Sequence, residues 1–213
     1  TTNSACNAVG TWTLPGATDN CGSPLLTRTL GAAPGSTFTV GAHTITYEAT
    51  DASDNKATCS FTLNVIDTIR PVTQCQPVSV PMPTSGTAMV TSLQVEQGSF
   101  DACGVASMSL SPNAFNTLGE HTTTLTVIDE NGNIGQCTAT ITVVDDMDPV
   151  AGCLPGVVYV DASGTATIDP AALNDASYDP NGSIASMSVS PATVGCADIG
   201  APSGVSVVLT VTD

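Results

Sequence analysis

Cysteine and carboxylate are the side chains of this sequence with chemistry to offer. Eight cysteines stand at positions 6, 21, 59, 75, 103, 137, 153 and 196, and 19 acids face only Arg28, Lys56 and Arg70. No pair of cysteines forms C-x-x-C, and His43 and His121 are the only histidines, so the spacing excludes a zinc finger or ribbon. Widely separated cysteines in a lysine-poor chain point to disulfides and an oxidising compartment. Both histidines follow a turn glycine in the same local sequence, Gly41-Ala42-His43-Thr44 and Gly119-Glu120-His121-Thr122. A catalytic base is not duplicated in that way, so both read as structural. With no Gly-rich phosphate loop and no nucleophile–base pattern, the sequence reads as non-enzymatic.

The carboxylates point to a hard cation. Asp145, Asp146 and Asp148 place three carboxylates in four residues just before Pro149. A calcium ion takes six to eight oxygens from carboxylates, amides and carbonyls, and Asp129 or Asp101 could add to such a set. The same residues also read as a solvated acidic turn. At the equivalent run Asp67-Thr68-Ile69-Arg70-Pro71, the guanidinium opposes a metal. The formal net charge of −16 repels phosphate backbones and anionic lipid, which excludes nucleic acid and membrane surface as partners. No apolar run reaches transmembrane length and no leader-type segment opens the sequence, so it reads as mature or excised material without membrane insertion.

Short strands must position these groups. Apolar residues make up 41% of the chain while aromatics are only 4%, which suits several thin cores. Gly41 to Gly119, Cys59 to Cys137, Asp67 to Asp145, Pro71 to Pro149 and Cys75 to Cys153 are each 78 residues apart. Ser107-Met108-Ser109 recurs as Ser186-Met187-Ser188, and Leu125-Thr126-Val127-Ile128-Asp129 as Leu209-Thr210-Val211-Thr212-Asp213. Internal repetition of this kind is the signature of a repeat architecture. Within the copies the period is two: Ile45, Tyr47 and Ala49 alternate with polar residues, as do Phe61, Leu63 and Val65. The stretches Asp51-Ala-Ser-Asp54-Asn55 and Asp129-Glu-Asn131-Gly132-Asn133 read as hairpin turns. The expected fold is all-β, a set of tandem immunoglobulin-like β-sandwich repeats in an elongated array.

The first copy resembles the hyalin repeat (HYR) family through Thr11-Trp12-Thr13-Leu14-Pro15, Ala17-Thr18-Asp19-Asn20-Cys21-Gly22, Tyr47-Glu48-Ala49-Thr50-Asp51 and Ala57-Thr58-Cys59-Ser60-Phe61. Copies two and three resemble related repeats of giant Bacteroidota surface adhesins, including gliding-motility adhesins, through Phe100-Asp101-Ala102-Cys103-Gly104, Asn131-Gly132-Asn133 and Gly195-Cys196-Ala197-Asp198. The resemblance implies an immunoglobulin-like fold, secretion by a type IX route, a bacterial cell surface and a part in attachment. It also implies a Cys75–Cys137 disulfide, with Cys6–Cys21 as a second pair across the strands flanking Trp12, which would pack against it. By the same logic Cys59 and Cys153 take partners outside residues 1–213. Three copies follow: 1–70 lacking its first strand, 71–149 complete, and 150–213 lacking its last strands. Cys103 and Cys196 remain, either bridging chains staggered by one repeat or staying as free thiols.

The expected function is a structural and adhesive stalk of a large bacterial surface adhesin. Its partners would be neighbouring repeats of the same longer chain, and identical chains laterally. The alternatives are a subunit of a self-associating filament and a carbohydrate- or protein-binding module. Thr68, between an acid and a hydrophobe, fits the Bacteroidota O-glycosylation pattern.

Overall fold

The computed structural model describes residues 6–200 and 204–213. The first copy contains β1 (Asn7–Val9), β2 (Leu25–Leu30), β3 (Thr37–Thr39), β4 (Gly41–Thr50) and β5 (Lys56–Val65). The second contains β6 (Val78–Pro81), β7 (Ala88–Met89), α1 (Ser92–Val95), β8 (Val105–Ser111), β9 (Ala114–Phe115), β10 (Gly119–Asp129) and β11 (Ile134–Val144). The third contains β12 (Thr165–Thr167), α2 (Pro170–Leu173), β13 (Ser186–Ser190), β14 (Thr193–Gly195) and β15 (Val208–Thr212). The fold class is therefore all-β. Pairing repeats with the sequence: β1–β3, β7–β9 and β12–β14 are antiparallel, matching Ala8 with Phe38, Ala88 with Phe115 and Ala166 with Val194. The pairs β2–β4, β8–β10 and β13–β15 repeat in the same sense.

Two compact units partition the chain. Unit one takes Thr1–Gln76, Thr91–Ser111 and Thr123–Ala139; unit two takes Pro77–Val90, Pro112–Thr122 and Thr140–Asp213.

In unit one, β2, β4 and β5 form a three-stranded sheet, and β1 pairs with β3. Both sheets contribute to one core of Phe38, Ile45, Tyr47 and Val65, joined by Ala8, Trp12, Leu26, Phe61 and Leu63. This is a two-layer sandwich, built because the period-two pattern turns every second side chain of β4 inward. Trp12 packs edge-on against Phe38 and Phe61, at centroid distances of 6.0 and 5.6 Å, and its Nε1–H donates to the Tyr47 hydroxyl at 3.1 Å. The expectation that Trp12 covers a Cys6–Cys21 bridge is thus corrected: its neighbours are aromatic. At Gly10 an added Cβ would stand 2.6 Å from a Leu63 methyl and 2.7 Å from the Phe38 ring, so the core itself demands a glycine there.

Unit one also holds both disulfides of the described residues, Cys75–Cys137 and Cys6–Cys103, at sequence separations of 62 and 97. Each closes a long loop, and the chain-entropy model gives such loops about 4–5 kcal/mol of stabilisation. The Cys6–Cys103 bond overturns the Cys6–Cys21 pairing and removes Cys103 from any bridge between chains. Cys21 and Cys196 are exposed free thiols, the latter with Sγ 3.4 Å from the Gly164 carbonyl. A bridge across the strands flanking Trp12 pointed to Cys21, whereas the fold brings the entry to β1 beside the turn that precedes β8.

In unit two, Val78–Pro81 pairs in parallel with Ile141–Val144. Its buried residues include Val80, Met82, Val90, Phe115, Ile141, Val143, Ile168 and Leu209. The two histidines occupy matching settings. His43 Nε2–H donates to the Thr39 carbonyl and its ring lies 5.1 Å from Phe38; His121 does the same with Thr117 and Phe115 at 2.8 and 5.1 Å.

Ile45 has no exposed surface, whereas Thr44 beside it faces solvent. Chemical denaturation will therefore show Ile45→Ala losing about 2–5 kcal/mol of stability, while Thr44→Ala stays within about 0.5 kcal/mol of the parent.

Candidate functional site

The acidic side chains fall into turns that they close themselves and clusters that they do not. Asp51 accepts from the backbone N–H of Ser53 and Asn55 through Oδ1, both at 2.8 Å, and from the Asn55 amide through Oδ2. Asp129 repeats the arrangement with Asn131 and Asn133, at 2.9 and 2.7 Å. These are Asx turns, in which a side-chain oxygen replaces the backbone acceptor a tight turn lacks. The Asn55 side-chain amide, followed by backbone N–H groups, holds the Asp51 carboxyl below its ordinary range. For Asp129, only 2% exposed, burial pushes upward, but the hydrogen bonds from Asn133, Asn131 and Gly132 together outweigh it and leave the pKa lowered.

A cluster in unit one gathers Asp67, Asp101 and Cys103, with one ligand atom of each within 4.8 Å of the others. Asp67 is 3% exposed and accepts from the Ile69 N–H, while Asp101 accepts from the Cys103 N–H at 2.7 Å. Asn133 links the cluster to the hairpin, its Nδ2 donating both to the Asp129 carboxylate at 2.8 Å and to the Asp67 carbonyl at 3.3 Å. The Cys103 sulfur is committed to Cys6. Two carboxylates and a disulfide sulfur are a poor donor set for a hard cation, which wants oxygen.

A cluster in unit two occupies the same register and differs in its donors. Asp145, Asp179 and Asp213 bring carboxylate oxygens within 4.8 Å of one another. Asp179 Oδ1 accepts from the N–H groups of Asn181 and Gly182, both at 3.0 Å. Its Oδ2 is buried with no hydrogen-bond partner, and so is Oδ1 of Asn181. The Asn181 amide nitrogen is anchored on the Met82 carbonyl at 2.8 Å and reaches Asp146 at 3.4 Å. An added Cβ at Gly182 would sit 1.7 Å from Asp145 Oδ2 and 2.7 Å from Asp179 Oδ2, so the glycine lets the backbone lie against both carboxylates. Buried oxygens that accept nothing are costly, and a divalent ion is the partner that satisfies several at once. Three carboxylates, with the unsatisfied Asn181 oxygen two residues on from Asp179, fit such an ion; the set in unit one does not.

The five aspartates read from the sequence as one calcium set are therefore sorted differently. Asp101 belongs with Asp67, and Asp129 closes its own turn. Asp145 is a member of the unit-two cluster, whereas Asp146 and Asp148 are exposed and outside it. The missed residues are Asp67, Asp179, Asp213 and Asn181. A signal for them existed: Asp67 to Asp145 and Asp101 to Asp179 keep the 78-residue interval, and Asp129 corresponds to Asp213 in the repeated Leu-Thr-Val segment. Thr68, the candidate glycosylation residue, is exposed.

The HYR domain family matches residues 3–65. Hyalin of Strongylocentrotus purpuratus is 33% identical over 139 residues, 60% of this chain and 11% of that protein. Hyalin of Lytechinus variegatus is 35% identical over 132 residues, 56% of this chain and 24% of that protein. A 63-residue stretch, 29% of the chain, is 43% identical to 2% of the sushi, von Willebrand factor type A, EGF and pentraxin domain-containing protein 1 of Rattus norvegicus. The chain thus spans between a tenth and a quarter of the hyalins it matches. Among solved structures, the protocadherin γB4 extracellular domain has a TM-score of 0.30 at 20% identity, covering 62% of this chain and 27% of that one. Mouse protocadherin-24 EC1-3 has 0.30 at 15%, covering 76% and 68%.

Because the Asp129 carboxyl is held below its unfolded value of 3.8, its contribution to stability is complete above that pH and lost as pH falls through the lowered folded value. Thermal melts taken across pH 5 to 2, on the order of the carboxylate range, will show a shallower acid loss in Asp129→Asn than in the parent. At neutral pH, Asn133→Ala strips a donor from both the Asp129 carboxylate and the Asp67 carbonyl, and will cost about 1–3 kcal/mol by denaturant titration.

Proposed function

From the HYR repeat carried by residues 3–65, we propose that this chain is a segment of an extracellular adhesive protein, serving as a load-bearing spacer of stapled β-sandwich copies. The observation that carries this reading is the recurrence of the same strand pairings in all three copies, together with two disulfides that tie residues 62 and 97 positions apart. Repeated units that each close a small core suit length and mechanical continuity more than chemistry. The role is non-catalytic: both histidines are spent on backbone carbonyls, Thr39 and Thr117. Disulfides place the chain outside the reducing cytosol. The narrower reading, a stalk on a bacterial surface used in attachment or gliding, is supported by the sequence resemblance of copies two and three and by the exposed Thr68.

The unit-two cluster would take a divalent cation of the calcium class, held by Asp145, Asp179, Asp213 and the Asn181 amide oxygen. The ion would neutralise converging carboxylates and fix the turn at Gly182, which stiffens the module rather than supplying a reaction.

Pulling single molecules from their ends tests the spacer reading. The oxidised chain will resist extension until its sandwiches yield. Reduction will then add roughly 350 Å of contour length, because about a hundred residues enclosed by the two bonds are released at ~3.4 Å each. Smooth extension at negligible force, unchanged by reductant, would sink the reading. For the cation, calcium at millimolar concentration will raise the melting temperature over that in chelator by about 2–4 °C for each kcal/mol of binding, and Asp179→Asn will remove the increment. Equal melts in calcium and chelator would rule the ion out.

A further inference from the structure

We infer that the two disulfides make the first two copies bear tension side by side, as one mechanical body. Repeats simply joined end to end would bear it one after the other. The inference takes its setting from the spacer reading and its content from the covalent topology. Along the chain the bonded cysteines stand in the order 6, 75, 103, 137, and the bonds join 6 with 103 and 75 with 137. The two loops therefore interlace: Cys75 lies inside the larger one and Cys137 outside it. The larger loop takes in all five strands of the first copy and runs on into the second.

Interlacing converts the chain from Cys6 to Cys137 into two cross-linked nodes joined by three lengths of polypeptide. One node is Cys6–Cys103 and the other Cys75–Cys137. The first length, residues 6–75, holds β1 to β5 and the core of Phe38, Ile45, Tyr47 and Val65. The second, residues 75–103, holds β6, β7 and α1, and the third, residues 103–137, holds β8, β9, β10 and the start of β11. Tension that enters before Cys6 and leaves after Cys137 pulls the nodes apart, so all three lengths resist it together.

Each length has its own cohesion. The sandwich core closes the first. In the second, Gln76 N–H donates to the Val95 carbonyl at 2.8 Å and Cys75 bridges Glu96. In the third, β8 and β10 pair from Ser111 with Thr124 to Val105 with Asp129. The lengths are also tied to one another. Val72 and Phe100 exchange two backbone hydrogen bonds of 2.9 Å, and the Thr73 hydroxyl donates to the Gln136 carbonyl at 2.9 Å. Forced unfolding is set by the barrier to rupture. Elements in series fail singly, the weakest first, whereas elements in parallel must give way together. The bonds also limit travel: with every strand undone, the nodes part no farther than the shortest length, from Cys75 to Cys103, about 95 Å of extended chain.

The test is single-molecule extension of the full chain from its ends, with Cys21→Ser, Cys59→Ser, Cys153→Ser and Cys196→Ser throughout to prevent thiol exchange. Four forms are compared: both bonds present, Cys6→Ser with Cys103→Ser, Cys75→Ser with Cys137→Ser, and all four of those changes. Relative to the doubly bonded form, loss of Cys6–Cys103 will lengthen the fully extended molecule by roughly 140 Å. Loss of Cys75–Cys137 will add roughly 20 Å, and loss of both roughly 350 Å, far more than the two single losses together. These lengths are read at full extension, so they hold whether or not a variant regains its sandwiches. The first copy will rupture as a separate force peak only where Cys6–Cys103 is missing. Non-reducing peptide maps of the doubly bonded form will join Cys6 to Cys103 and Cys75 to Cys137. Increments that simply add, Cys6 linked elsewhere, or a separate first-copy peak with both bonds present would each overturn load sharing and leave the spacer reading standing. Featureless extension at negligible force would sink the spacer reading and load sharing with it.

Discussion

Thin cores constrain everything else in this protein. The first copy encloses four buried apolar residues, Phe38, Ile45, Tyr47 and Val65, with a rim of partly buried neighbours that includes Trp12. Alternation along β4 and β5 supplies one side of that layer and Phe38 of β3 the other. A sandwich one side chain deep buries limited apolar area, and small cores of this kind are commonly reinforced by covalent links. The two disulfides answer that need by restricting the unfolded chain more than they enlarge the folded interior. The bonded residues lie at Cα separations of 4.8 and 6.0 Å, within the usual disulfide range.

The same constraint explains the polar groups. With so little core to hide in, loops must be fixed by hydrogen bonds, and aspartate does this repeatedly. Asp51 and Asp129 close hairpins with the same acceptor geometry, and Asp161 does so in the third copy with Ser163 and Thr165. Asp19, Asp101 and Asp179 each accept from the N–H two residues on. The turns recur from copy to copy, and one of the positions at which the copies differ changes the chemistry. Position 103 is a bonded cysteine, while position 181, 78 residues later, is an asparagine with a buried and unsatisfied oxygen. Equivalent turns thus carry a covalent link in unit one and stand beside a cluster of carboxylates in unit two.

Residue patterns alone settled the class of fold, the placement of the hairpins and the equivalence of the copies. Strand periodicity and turn composition act over a few neighbours, and an interval of 78 residues survives in the order of the letters. His43 and His121 could be read as a structural pair for the same reason. The pairing of Cys6 with Cys103 could not be read, nor the sorting of Asp67 and Asp101 away from Asp145, Asp179 and Asp213. Those contacts join segments from about thirty to almost a hundred residues apart, and which distant thiol or carboxylate meets which depends on how strands register and where turns end. That is decided only when the sheets close, because a sulfur bond or an ion site forms between whatever atoms the packed backbone leaves within reach.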